Sequence, residues 1–336
     1  MDHHATGGDD RAGPAAWLSR TQEAPMQATA TIGVDSARQP HEPPSTEGTR
    51  TPADAREAAP EWRELGLSAM SALLVVSLSH AGRHSFRAVC QWPRWHPLNE
   101  RALAVTHHPL LLVESTRQLA ALAQARCLPA AESPPRLRPV SVALGTDPRT
   151  RPVETGAATE VAVRVTMSDV SVASGALTGY RITAEYFHAD RRFGVCAMVF
   201  AAAQPPAVDA GTGSFAGLLH PAPAAVGAAA EPDVLVARAP QGRLLIVPRD
   251  GAHPVLLPGG PAELPLHAVL EAGRQATLLY QGRPPSAVVG LAVRSAGAVP
   301  GRGAAVDVVP EENGARFVVL DAGRAVASGT VTLAGP

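Results

Sequence analysis

The chain has 336 residues, 46% of them apolar, with 29 basic residues against 30 acidic ones and a net charge of −1. That is enough apolar material for one large or two ordinary domains, and a near-neutral chain without a dense basic cluster lacks the footprint of a partner for nucleic acid or an anionic membrane. Every basic residue is arginine, so chemistry centred on a lysine amine is excluded: Schiff-base and pyridoxal-phosphate enzymes, and P-loop ATPases.

Residues 1–65 are rich in Pro, Gly, Ala, Thr and charge without apolar periodicity, the composition of a disordered leader. The longest apolar run, from Leu67 to Leu78, is shorter than the ~20 residues of a membrane-spanning helix. It also lies too deep in the chain for a signal peptide, so a cytoplasmic location is expected. Three scattered cysteines, Cys90, Cys127 and Cys196, make neither a disulfide framework nor a metal knuckle, and no metal is expected.

From there the chain repeats itself. In residues 66–204, β-like runs near Leu73–Leu78 and Ser85–Trp92 lead through Pro97 into the helix-patterned PLLLVESTRQLAALAQA, and four β-like runs follow between turn formers. Residues 205–232 have the Pro/Gly/Ala composition of a linker, and the dinucleotide-loop lookalike GTGSFAG at Gly211 belongs to it, since no strand precedes it. Residues 233–336 run through the same order, with the helix in LHAVLEAGRQATLLY. Each unit is one long helix followed by an antiparallel meander. This predicts an α+β chain of tandem hotdog folds, a central helix wrapped by antiparallel sheet, forming an intrachain pseudo-dimer.

Both helices carry E-x-x-R-Q, and Glu271 follows Glu114 by 157 residues at the same point of the repeat. Glu114 with Arg117, and Glu271 with Arg274, share a helix face at spacing i,i+3. A surface ion pair is the plain reading, but both helices are apolar nearly all round, and a buried pair is a poor source of stability. A buried carboxylate with a raised pKa is expected to serve as a general base, and the arginine as partner of a phosphate or an oxyanion. Gln118 and Gln275 are expected either to orient the carboxylates or to donate to a thioester carbonyl.

The segments QWPRWHP from Gln91, HHPLLLVESTRQLA from His107 and HPVLLPGGPAELPLHAVLEAGRQA from His253 resemble the signatures of the A-factor biosynthesis hotdog (AfsA-like) family of actinomycetes, over about residues 70 to 335. The resemblance implies acyl transfer in γ-butyrolactone signal biosynthesis, in secondary metabolism. A β-ketoacyl group would pass from acyl carrier protein to a hydroxyl of dihydroxyacetone phosphate, without a cofactor. Carried over, Glu114, Arg117, Glu271 and Arg274 are the catalytic candidates, with Gln118, Gln275, His96 and His253 at the substrate. The sequence departs from the family at Pro258-Gly259 and Ala262-Glu263, where two Asp-His pairs are usual, and in lacking a Val-His-Lys segment. These departures leave a second reading open, a catalytically silent homologue that binds an acyl ligand or an active paralogue; a hotdog dehydratase or thioesterase is a third. Glu263 is read as an acid at a helix start, His107 and His108 as a solvated loop pair, and Trp92 and Trp95 as core or rim.

Overall fold

A computed structural model describes residues 60–67, 69–99, 104–127, 137–173, 175–202 and 217–335. The expected leader up to residue 59 and most of the Gly211 string lie outside the described residues.

Strand β6 shows why these segments extend. In Ala158–Ala173 the side chains of Val161, Val163, Val165 and Met167 point into the core while Glu160, Arg164 and Thr166 face out, the two-residue period of a half-buried strand. The same alternation builds β1 (Val75–Gly82), β2 (Ser85–Pro93), β4 (Leu137–Thr146), β7 (Ala176–His188) and β8 (Arg191–Ala202). The second half supplies β9 (Val236–Arg238), β10 (Leu244–Ile246), β11 (Val288–Ser295), β12 (Ala305–Glu311), β13 (Gly314–Asp321) and β14 (Arg324–Leu333). Two short strands, β3 (Val105–Thr106) and β5 (Val153–Glu154), pair apart from the rest; their two-residue lengths left no pattern in the sequence.

Twelve strands form one sheet in the order β1-β2-β6-β7-β8-β4-β11-β14-β13-β12-β10-β9. The second six repeat the first in reverse, about an axis between β4 and β11. Those two strands pair antiparallel, with Val142 opposite Val293 and Leu144 opposite Leu291, so the backbone ladder runs unbroken from one half to the other.

Helix α1 (Leu110–Cys127) starts after Pro109, and helix α3 (Leu266–Gln281) starts after Pro265 and stops at Gly282, whose φ of 61° accepts the left-handed turn. Each helix lies in the concavity of its own six strands, and the two also touch each other. Nearly every side chain of α1 up to Ala123 is buried, Arg117 being one exception. Burying each Leu or Val of this kind contributes about 1.5–3 kcal/mol. The chain therefore consists of two hotdog units joined through their sheets. Among the described residues no helix is long and apolar enough to cross a membrane.

Residues 217–232, within the stretch read as linker, hold a short helix, α2 (Pro223–Val226), which packs on α3. Its Val226 is buried, an apolar anchor that the Pro/Ala-rich composition hid. At the other end, Leu65 and Leu67 are buried in the hydrophobic core that both halves share.

Candidate functional site

The two E-x-x-R-Q segments fold identically. Arg117 donates from Nε to Glu114 Oε2 at 2.8 Å and from Nη2 to Oε1 at 2.7 Å; Arg274 donates likewise to Glu271 at 2.8 and 2.6 Å. The i,i+3 spacing makes each pair bidentate within its helix.

Each glutamine spends its whole amide on the protein. Gln118 Nε2 donates to Glu114 Oε1 at 2.8 Å and to the Ala72 carbonyl at 2.7 Å, while its Oε1 accepts from Leu74 N at 2.9 Å. Gln275 repeats this with Glu271 at 2.9 Å, the Asp233 carbonyl at 2.7 Å and Leu235 N at 2.8 Å. Each glutamine thus holds on to the carboxylate of its own helix. They do not reach a substrate, because both amide hydrogens are used and both side chains are fully buried.

The surroundings of the two pairs differ. Glu114 and Arg117 line an open cavity of about 290 Å³ at the N-terminal end of α3, and the Arg117 side chain is 26% exposed. Arg274 is only 1% exposed: its Nη2 donates to the Gly227 carbonyl at 2.8 Å, and the turn after α2 closes over it. Gly227 has φ of 62°, and a Cβ there would meet Pro285 at 2.5 Å and Arg274 Nη1 at 2.9 Å, so the closure needs glycine.

Two histidines face these carboxylates: His108, expected as half of a solvated loop pair but 9% exposed, and His267, which the sequence did not mark. His108, just before α1, places Nε2 3.7 Å from Glu271 on α3. Its Nδ1 accepts from Leu110 N at 3.2 Å, which leaves the ring proton of the neutral form on Nε2. Reciprocally, His267 in the first turn of α3 interacts electrostatically with Glu114 on α1. His267 lines the 290 Å³ cavity and donates Nε2–H to the Val255 carbonyl at 3.0 Å, which makes Nδ1 the basic nitrogen of the neutral ring. Each half thus sends a histidine to the other half's glutamate.

One electrostatic expectation is reversed. Burial does push the Glu114 carboxyl up, but the Arg117 guanidinium and the Gln118 amide outweigh it, and the pKa falls below the usual carboxylate range. Glu271 is lowered in the same way against Arg274. Burial lowers His267 and leaves it neutral at pH 7, with Glu114 opposing the shift. It lowers His108 to about 3, although Glu271 pulls the other way.

His96 and His253 line neither this cavity nor a second one near His108, and each is 2% exposed. They are structural in position: each Nδ1 accepts from the amide two residues on, Leu98 at 3.3 Å and Val255 at 3.1 Å. His107 is not solvated either. It is buried, with Nδ1 accepting from Asn99 at 2.9 Å and Nε2 bonded to Thr159 at 2.8 Å. Glu263 lies outside α3, at the cavity, and pairs with Arg138 at 3.3 Å. Trp92 is core, donating Nε1–H to Ser115 at 2.9 Å, whereas Trp95 is exposed.

No family model and no curated protein matches the chain. Solved structures similar to it include a putative thioesterase from Novosphingobium aromaticivorans, 12% identical, covering 77% of this chain and 98% of that one at a TM-score of 0.45. A fusion DH domain is 15% identical, covers 82% and 97%, and scores 0.42. The bifunctional dehydratase-cyclase domain of ambruticin biosynthesis is 16% identical, covers 80% and 98%, and scores 0.42.

Proposed function

We propose that the protein is an acyltransferase acting on an acyl thioester, with its working site in the cavity of the first half. The observation that carries this reading is the meeting of Glu114, Arg117 and His267, from both halves, at one open cavity of about 290 Å³. That volume is near the lower bound of ligand pockets, about 300 Å³.

The roles follow from the electrostatics. His267, neutral at pH 7, is the stronger base and takes the proton from the attacking hydroxyl. Arg117 faces the developing oxyanion or a phosphate of the acceptor, and Glu114 holds its guanidinium in place. The carbonyl carbon forms a bond to the acceptor oxygen, the C–S bond breaks, and the His267 proton leaves on the thiolate. The E-x-x-R-Q resemblance supports a β-ketoacyl thioester of acyl carrier protein as donor and dihydroxyacetone phosphate as acceptor. Water in place of the acceptor would give hydrolysis by the same steps.

A silent, ligand-binding homologue is the second reading, favoured by Glu263, which pairs with Arg138 where the family has histidine. Mass spectrometry on protein mixed with a β-ketoacyl thioester and dihydroxyacetone phosphate separates the two. Ester product, lost in His267→Asn and Arg117→Gln but kept in Glu271→Gln, supports transfer in the first half. Free acid alone points to a thioesterase, and no turnover overturns the enzyme reading.

A further inference from the structure

The second cavity, about 210 Å³, opens where the first half's His107–Pro109 segment meets Arg274 and Ser286. Its charge is unbalanced. The first cavity is lined by two arginines and two glutamates in matched pairs, whereas among the described residues the second is lined by Arg151 and Arg274 and by no carboxylate. Arg274 is neutralised from behind by Glu271.

Arg151 is not neutralised. Its Nε donates to Thr146 Oγ1 at 2.9 Å and its Nη2 to Thr146 Oγ1 and the Val288 carbonyl, all uncharged oxygens. No carboxylate of the described residues lies within ion-pair distance of it, and Asp147 is the one acid that pulls against its desolvation. The bonds to Thr146 on β4 and Val288 on β11 fix the guanidinium and leave Nη1 uncommitted. His108 lines the same cavity, with its Nε2–H turned to Glu271 at 3.7 Å. A half-buried arginine anchored by neutral oxygens, opening on a cavity at the start of α1, is a preorganised place for an oxyanion.

We infer that this second cavity binds a phosphate group, with Arg151 as its cation. The inference stands independently of the acyltransferase reading, because the site lies at the other glutamate–arginine pair. Its volume, below the ~300 Å³ at which pockets take drug-sized ligands, suits a phosphate monoester or the phosphate end of a longer carrier.

Calorimetric titration of the whole chain with inorganic phosphate, glycerol 3-phosphate and coenzyme A tests it. Saturable phosphate binding is expected, weakened about tenfold or more in Arg151→Gln. Comparable affinity for glycerol 3-phosphate marks a free monoester as the ligand, and markedly tighter coenzyme A marks a carrier-borne phosphate. Arg151 also ties two strands, so Ser286→Asp, at an exposed position, is the second variant: it keeps the fold and should abolish binding by repulsion. Absence of saturable phosphate binding, or binding indifferent to both Arg151→Gln and Ser286→Asp, overturns the inference.

Discussion

His96 and His253 hold matching places in the two halves, yet among the described residues only His253 has a carboxylate: its Nε2 meets Asp233 Oδ1 at 2.8 Å, while His96 Nε2 is buried with no partner among them. The glutamines explain the difference. Gln275 donates to the carbonyl of Asp233 and Gln118 to that of Ala72, so alanine stands in the first half where the second has the acid. Replacing His96 by Phe removes an unsatisfied donor and should leave stability within about 1 kcal/mol of the parent, while His253→Phe strands a buried carboxylate at a cost of about 3 kcal/mol. Urea unfolding of both variants checks this, and equal losses would refute the assignment.

Arg274→Met should be among the most damaging changes in the second half. It leaves Glu271 charged in a dry site, a loss of about 3–5 kcal/mol. Arg117→Met leaves Glu114 beside an open cavity that water can enter, so its loss should be clearly smaller even though turnover disappears. Melting curves and product yield for the two variants should therefore rank in opposite order.

Acid should unfold the protein well above the usual carboxylate range. Burial lowers His96 and His107 to about 4 and His108 to about 3, against an ordinary value of 6.5. Between pH 6.5 and about 4 the unfolded chain therefore binds more protons than the folded one, and stability falls as pH falls, by up to about 1.4 kcal/mol per pH unit for each histidine. Glu114 and Glu271, also lowered, add a loss of the same sign below about pH 4.5. Urea midpoints at pH 7.5, 6 and 5 should drop steadily, and a flat profile would contradict the buried neutral histidines.

Gly273→Ala tests the packing of α3. Alanine favours a helix by about 1 kcal/mol over glycine, but here a Cβ would come within 2.4 Å of the Phe317 ring. Gly329 closes on the same ring from β14, where a Cβ would also lie 2.4 Å away, so the ring has no room to move. A net loss of about 1–3 kcal/mol is expected by overpacking, seen as a lower melting temperature.

The repeat made most of the architecture legible. Both helices begin within a residue of their expected starts, because proline and the apolar run mark them in the sequence. The order of elements carried the sheet's symmetry, and the i,i+3 spacing carried both ion pairs. The reciprocal histidines were not legible. Glu114 and His267 are 153 residues apart, and no periodicity within either helix links a side chain to the neighbouring half. The sign of the carboxylate shift was also out of reach, since it depends on whether the arginine's geometry outweighs burial. Gly227 was hidden in a Pro/Ala-rich stretch, where composition says nothing about a carbonyl that caps Arg274.

The ladder between β4 and β11 has a consequence for how this molecule can change. In an assembly of two identical chains, every mutation appears twice, at both ends of the symmetry axis, and must be tolerated in both. Here the halves are written separately along one polypeptide, so Ala72 can stand opposite Asp233, and Thr116 opposite Gly273, without any compromise between them. A fused pair can let one half keep an accessible carboxylate while the other is reshaped for a different task, and the shared ladder keeps the two from drifting apart as they diverge.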